Sequence, residues 1–399
     1  MTATDPILDD IKVLDLSTFV TGGFCSLMLA NQGADVIKIE RPGVGDDIRH
    51  SGPPFIDGES PYYWTVNYDK RSVELNLESD DGLAAFYDLV EAADVVIQNF
   101  RPGTADRLGV AYEDLETYNE DLIYCDISAF GNTGPWSERP GYDLLVQGMS
   151  GIMSVTGEDG GGPVKVGLPQ TDLITGMWAA FGIVGALFRR ARTGAGEYVE
   201  LGMLDATLPW LTKQAGTIFA DEAPSRMGTK DPVLAPYQTF ETADGHINVA
   251  CLNQKLWSGL CRAIDRPDLA ADDRFETNAD RVEHMDELAA ELADTLSERT
   301  TEAWMEVLVD AGIPAGPVHT VSEALSNEQV EARDMVDRIT DGDREISVIE
   351  HPLNFARAES GFETPPPTLG EHTYEVFEEV GYDRERIERL QGAGVFGDD

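Results

Sequence analysis

The chain reads as an α/β protein, a Rossmann-like doubly wound parallel sheet with a second, smaller α+β domain. Three observations predict this. Through the first half, short apolar runs alternate with helical patterns, as in a parallel sheet covered by helices. After Asp221-Glu222-Ala223-Pro224 the pattern changes to a hairpin followed by helices. The length of 399 residues suffices for one large domain and a smaller one, each with a core.

The candidate strands of the large domain are Lys12–Leu16, Val36–Glu40, Val73–Leu77, Val95–Asn99 and Ile123–Ser128. They are short apolar-rich runs that alternate with helical stretches, as in a parallel sheet covered by helices. Helical stretches lie near Gly23–Gln32, Asp80–Ala92 and Thr104–Leu108. A glycine loop, Gly157-Glu158-Asp159-Gly160-Gly161-Gly162-Pro163, leads through Pro169-Gln170-Thr171-Asp172 into a long apolar helix from about Leu173 to Arg192. That helix carries Gly176, Ala179, Ala180, Gly182, Gly185 and Ala186. So many small residues weaken a helix, so another backbone is expected close against it.

Further on, Tyr237–Phe240 and Ile247–Cys251 flank Asp244-Gly245, a hairpin signal. Helices follow near Gln254–Ala263, Val282–Ser297 and Thr301–Ala311. The expected domains are 1–224, 225–330 and a C-terminal segment 331–399. In that segment Thr364-Pro365-Pro366-Pro367 forms a stiff extended linker, and a helix near Glu371–Glu379 returns to the large domain.

Composition excludes several functions. There are 73 acidic residues against 29 basic ones, a formal net charge of −44, and only seven of the basic residues are Lys. Disorder does not fit a chain that is 42% hydrophobic with 6 Trp, 12 Tyr and 15 Phe. The acids are dispersed, as on a surface adapted to high salt, where screening shortens to about 3 Å at 1 M. Such charge repels nucleic acid and anionic membranes, so neither is an expected partner. Cys25, Cys125, Cys251 and Cys261 show no metal-ligand spacing and no disulfide framework. Cys125 and Cys251 lie in strand-like runs and are expected as buried thiols. The six histidines are scattered, so no metal site and no tightly bound cofactor is expected. The opening Met1-Thr2-Ala3-Thr4-Asp5-Pro6 lacks the features of a signal peptide, and the apolar stretch Met177–Phe188 is short for a membrane span. The expected location is the cytoplasm.

Asp172 stands out chemically. A free Asp titrates near pH ~3.9, so it is ionised at neutral pH and serves as a nucleophile without a base. The competing reading is a helix N-cap, which Asp also suits. Cations and amides cluster at expected strand ends: Lys38 and Arg41 at the end of the second strand, Lys70 and Arg71 opening the third, Asn99, Arg101 and Arg107 at and beyond the fourth. Ligands of doubly wound sheets gather there, and fixed positive charge suits phosphates. Glu40 ends the second strand where an NAD enzyme keeps its ribose-binding acid. Yet the first turn reads Thr21-Gly22-Gly23-Phe24-Cys25-Ser26, not Gly-x-Gly-x-x-Gly, so a nicotinamide cofactor is not expected. Nor does the loop before Asp172 carry a Walker ending.

Several further segments recur in order: Val13-Leu14-Asp15-Leu16-Ser17, Gly33-Ala34-Asp35-Val36-Ile37-Lys38-Ile39-Glu40-Arg41-Pro42-Gly43, Lys70-Arg71-Ser72, Asn99-Phe100-Arg101-Pro102-Gly103, Gly141-Tyr142-Asp143, Gly312-Ile313-Pro314-Ala315-Gly316-Pro317-Val318 and Leu369-Gly370-Glu371-His372-Thr373. In this order, from about Ile7 to Val395, the chain resembles the class III CoA-transferases. The resemblance implies a homodimer of interlocked chains whose substrates are acyl-CoA thioesters and small carboxylic acids. It implies that Asp172 carries first the acyl group, as an anhydride, and then CoA, as a thioester. It further implies that Arg41, Arg71, Asn99, Phe100 and Arg107 hold CoA; Lys38 and Arg101, by their strand-end placement, are expected to join them.

Arg49, His50, Tyr142 and Arg226 are candidates for the acyl substrate, with Arg49 and then Arg226 as anchors of a distal carboxylate. The expected donor is succinyl-CoA and the expected acceptor a dicarboxylate of the mesaconate or malate type. Alternatives are formyl, oxalyl or carnitine CoA transfer, and the proton transfer of α-methylacyl-CoA racemases. Those racemases carry a His base where Tyr142 stands, and a Tyr titrating near ~10 is a poor base. The short stretch Met227–Pro232 argues against oxalate.

Overall fold

The computed structural model describes residues 5–341 and 344–397. Six strands form one sheet: β1 (Lys12–Asp15), β2 (Asp35–Glu40), β3 (Lys70–Glu74), β4 (Val95–Gln98), β5 (Ile123–Ser128) and β6 (Glu197–Gly202). Their order is β3-β2-β1-β4-β5-β6, and every neighbouring pair is parallel. The order reverses between β1 and β4. Connections there leave toward opposite sides and open a crevice at the carboxyl ends of the two strands.

Side chains alternate along each strand and so build two cores. Val13, Val36, Val95, Ile97, Ile123 and Cys125 join Cys25 and Leu29 of the first helix (Phe19–Ala30) and Ala179 and Ile183 of the long helix (Gln170–Thr193). Leu14, Ile37, Val96 and Tyr124 join Phe86 and Leu89 of helix Asp80–Val90. The C-terminal helices Thr373–Glu379 and Arg384–Gly392 add Phe377 and Ile387 to this second core.

Two strands depart from expectation. β3 begins at Lys70 instead of Val73, because its cation is satisfied inside: Lys70 Nζ meets Asp15 Oδ2 at 3.2 Å, Asn67 Oδ1 at 2.9 Å and the Gly23 carbonyl at 3.0 Å. β6 was not anticipated, since Glu197, Tyr198, Val199 and Glu200 leave no apolar run. It is an edge strand, which tolerates charge.

The long helix starts earlier than expected and runs 24 residues, enough by length and composition to cross a bilayer. Half of its most apolar stretch is buried within the protein. The backbone expected against its small residues belongs to the first helix. A Cβ on Gly176 would stand 2.7 Å from the Thr21 carbonyl oxygen, and one on Gly22 only 2.2 Å from Ser17 Cβ. Glycine at 176 lets the two helices touch, while glycine at 22 lets the first helix pack on the loop that precedes it.

The described residues form two compact units: one combines those up to 152, 166–216 and from 329 onward, the other 153–165 and 217–328. The second holds the antiparallel sheet β7 (Tyr237–Glu241), β8 (His246–Ala250) and β9 (Ala315–Pro317), with the hairpin where Asp244-Gly245 predicts it. Helices Gln254–Ala263, Met285–Leu296 and Thr301–Asp310 enclose Trp257, Leu292 and Trp304. The glycine loop packs in this unit: Gly228 N–H donates to the Gly157 carbonyl at 2.9 Å. In the first unit, β10 (Val336–Asp341) and β11 (Arg344–Ile349) form an unanticipated antiparallel hairpin.

Candidate active site

The crevice is braced by buried charge. Asp15, at the end of β1, accepts from Ser17 and Ser26 hydroxyls at 2.5 Å each. Burial opposes its ionisation, yet Lys38 and Lys70 beside it hold its carboxyl down at about 2. Lys38 pairs with Asp46 at 2.9 Å and donates to the Ser17 carbonyl at 2.9 Å. These contacts fix the loop after β1. Across the crevice, Asn99 ties that loop to β4: it accepts from Thr18 N–H at 2.9 Å and donates to the Thr18 carbonyl at 2.8 Å. The first helix then opens at Phe19, a non-glycine residue at φ 59°, whose N–H donates to Asp46 at 3.1 Å. Such left-handed backbone costs energy, and it falls at this site.

Asp172 is not the helix cap. The N-cap is Pro169, and Asp172 is the third residue of the helix. Asp143 holds the helix start instead, accepting from Thr171 N–H and from its hydroxyl at 2.9 Å each. Asp172 is thereby free for another role. Its Oδ1 accepts from the buried Thr21 hydroxyl at 2.6 Å. Burial pushes its pKa up to about 6, against the pull of the Thr21 hydrogen bond, with Asp143 adding to the rise. Tyr62, on the same wall, titrates above its ordinary value through burial and through the Asp172 and Asp143 charges, so it stays a donor at neutral pH.

Asp172 opens on a cavity of about 400 Å³, lined also by Thr18, Thr21, Tyr62, Arg101, Arg139 and Tyr142. Beside it a second cavity of about 610 Å³ is rimmed by Arg41 and Arg107. Thr18, Asp47, Phe100 and Thr104 line both, so the two cavities adjoin across a shared wall. Arg41 pairs with Asp47 at 2.5 Å and Arg107 with Glu78 at 3.1 Å, and both arginines are 60% exposed. Exposed pairs are weak, so a phosphate displaces the carboxylates at little cost. Arg101 donates to the Tyr142 hydroxyl at 3.4 Å, and the Tyr142 ring stands edge-on to Phe19.

Of the residues read from sequence, Asp172, Arg41, Asn99, Phe100, Arg101, Arg107 and Tyr142 line these two adjoining cavities. Five do not. Lys38 is fully buried in its ion pair. Arg71 lies at the amino end of β3, held by Asp35 at 2.5 Å and Glu379 at 2.6 Å, at the opposite edge of the sheet from the crevice. Arg49 is consumed by Glu40 at 2.6 Å, the Tyr63 ring and the Pro367 carbonyl. His50 lines neither cavity, and its Nε2 sits 2.9 Å from the Val44 carbonyl. Arg226 belongs to the second unit, where it pins the glycine loop through the Gly161 and Ser154 carbonyls. Sequence reasoning missed Thr21, Tyr62, Arg139 and Asp47. For Thr21 a signal existed: the turn after the first strand of a doubly wound sheet is a ligand position. Cys25, Cys125, Cys251 and Cys261 are buried free thiols.

A doubly wound sheet whose switch point holds an ionisable carboxylate beside an arginine-rimmed cavity is suited to acyl transfer from a phosphate-bearing carrier. The chain belongs to CoA-transferase family III, whose family model matches residues 8–373. It is 35% identical to a human succinyl-CoA:glutarate CoA-transferase, covering 97% of this chain and 89% of the relative. It is 38% identical to the succinyl-CoA:mesaconate CoA-transferase of Haloarcula hispanica, covering 94% and 96%. An acetyl-CoA:oxalate CoA-transferase of Acetobacter aceti is 41% identical over 84% of this chain and 88% of its own. Among solved structures, a CAIB/BAIF family protein from Brucella suis superposes with a TM-score of 0.87 at 36% identity, covering 94% of this chain and all of that one. The protein is a CoA-transferase.

Proposed function

We propose that this enzyme moves CoA from succinyl-CoA to a C4–C5 dicarboxylate through covalent intermediates on Asp172. The carrying observation is a carboxylate that needs no base, facing a cavity that adjoins one edged by Arg41 and Arg107. The larger cavity takes the nucleotide of CoA, with its phosphates on Arg41 and Arg107. Phe100 and Asn99 flank the passage, and the thioester reaches Asp172. An Asp172 oxygen attacks the thioester carbonyl, the C–S bond breaks and CoA leaves as thiolate. The thiolate then attacks the aspartyl carbonyl of the anhydride and releases succinate. The acceptor carboxylate repeats both steps in reverse. The anhydride and thioester are activated carbonyls, so the site's work is positioning and oxyanion stabilisation.

A dicarboxylate acceptor is favoured by the cations beside Asp172. With Arg49 and Arg226 engaged elsewhere, Arg101 and Arg139 replace them as anchors of the distal carboxylate. Relatives named for glutarate and mesaconate fit this choice, and the oxalate relative keeps a C2 acid in contention. The enzyme works as a homodimer. Phe181 and Phe188 on the outer side of the long helix are 70% and 65% exposed, beside Met177 and Trp178, an apolar face that a second copy covers.

The test is trapping with hydroxylamine during turnover in strong KCl, which should modify the peptide containing Asp172. Asp172→Ala should lose at least ~10³-fold in rate while remaining folded. In a panel of glutarate, mesaconate, malate, oxalate, formate and carnitine, C4–C5 dicarboxylates should exceed monocarboxylates of similar size by about 10- to 100-fold. Near-normal transfer by Asp172→Ala sinks the mechanism. Oxalate, formate or carnitine as best acceptor sinks only the substrate choice.

A further inference from the structure

Thr21 stands in the first turn of the first helix, buried, with its hydroxyl 2.6 Å from Asp172 Oδ1. That length belongs to a charge-assisted O–H···O⁻ bond. The backbone enforces it. Gly176 follows Asp172 by one turn, and its bare Cα lets the Thr21 carbonyl approach the same stretch of helix. Among the described residues, Thr21 supplies the side-chain hydrogen bond to this carboxylate, and Oδ1 alone receives it.

We infer that Thr21 is a catalytic residue for the steps at the aspartyl carbonyl, binding the oxyanion that forms on Asp172 Oδ1. This rests on the CoA transfer proposed above. With Oδ1 held, the electron pair that attacks the thioester comes from Oδ2. The new C–O bond forms, the C–S bond breaks, and Oδ1 remains the carbonyl oxygen of the anhydride. When the thiolate bonds to Cγ, the carbonyl pair moves onto Oδ1, where the Thr21 O–H already points. Collapse breaks the Cγ–Oδ2 bond, and succinate departs carrying that oxygen. Acceptor attack on the aspartyl-CoA thioester places charge on Oδ1 again before the C–S bond breaks. No proton changes hands, so a hydroxyl serves where a base would have no task.

Thr21→Val, Thr21→Ala and Thr21→Ser decide the matter. The readouts are the rate at which succinate discharges preformed aspartyl-CoA, followed by intact mass, and the pH profile of kcat/KM. Groups facing Asp172 from neighbouring elements are Asp143, Tyr62 and Tyr142, with Asp47, Arg101 and Arg139 on the cavity wall. All stay in place in these variants, so a moved profile reports the lost hydroxyl. Val and Ala should slow discharge by about 10²-fold and shift the acid limb to higher pH, as loss of one oxyanion donor does. Ser should come within about threefold of the parent enzyme. Ala adds no bulk and keeps the test open if Val misfolds. Val and Ala with parental discharge and profile would overturn the inference. So would Ser as slow as Ala with an unmoved acid limb, since that pattern marks packing alone. A parent enzyme that transfers CoA without forming aspartyl-CoA refutes the Thr21 role, whereas one that transfers no CoA refutes the reading beneath it.

Discussion

Asp172 trades stability for reactivity, and the trade has a measurable sign. Its folded pKa of about 6 lies above the ordinary 3.8 because burial disfavours the charged form. In the proposed mechanism the ionised carboxylate is the nucleophile, so kcat/KM should fall about tenfold per unit as pH drops below about 6. Burying that charge also weakens the fold at neutral pH. The penalty is present above the folded pKa and disappears once the group is protonated in both states, below about 3.8. Asp172→Asn should therefore melt higher than the parent near pH ~8, with the gap closing toward pH ~4, while transfer is lost. A lower melting temperature at both pH values would show that the carboxylate supports the fold instead. At this scale the sequence was partly legible. Asp172 and Asn99 declare themselves through the motifs around them. Lys38, Arg49 and Arg71 lie outside the two cavities, held by carboxylates; a cation's place in sequence does not reveal its partner. Besides Asp35, the partners of Arg71 are Glu375 and Glu379, some 300 positions on.

Elements were more legible than residues where their pattern is long. The sheet strands and the hairpin at Asp244-Gly245 follow from apolar runs and turn chemistry, because burial on both faces leaves little choice of residue. β6 and the β10–β11 hairpin escaped because exposed edges accept charge and so carry no such pattern. The small residues of the long helix announced a close neighbour, and the neighbour is the first helix. That contact does chemical work, since it brings Thr21 to Asp172. Gly176→Ala places a methyl 2.7 Å from the Thr21 carbonyl, so the helices must part by several tenths of an ångström. Overpacking of this kind costs about 1–3 kcal/mol, and the hydrogen bond at Asp172 stretches with it. Gly176→Ala should lower the melting temperature and slow transfer, leaving KM for succinyl-CoA near its parental value because Arg41 and Arg107 are untouched. Unchanged turnover with the expected loss of stability would mean that the helix contact does not set the geometry of Asp172.

For the whole molecule, charge is the governing quantity. The net charge of −44 lies almost wholly on the surface, because the buried cations are matched by buried carboxylates, Asp15, Glu40 and Asp46 among them. Lys38, Lys70 and Arg281 are buried, while Arg49, Arg71 and Arg190 are largely enclosed with Glu40, Asp35 and Asp94. What faces water is therefore mostly carboxylate. At 0.1 M salt the screening length is about 10 Å, longer than the spacing of such dense charge, and repulsion opposes compaction. At about 2 M it falls to a few ångströms and the repulsion is confined to nearest neighbours. In the proposed dimer, two copies meeting through the apolar face of Phe181 and Phe188 would face the same repulsion twice over. Melting temperature should rise steadily from 0.1 M to about 2 M KCl, and sedimentation should show the dimer gaining over the monomer across the same range. Phe181→Glu should abolish the salt dependence of association by removing the association itself. A neutral osmolyte at matched water activity should reproduce little of the rise in melting temperature, because it screens nothing. If it reproduces the full effect, or if the KCl curve is flat, the acidic surface is not tuned to salt.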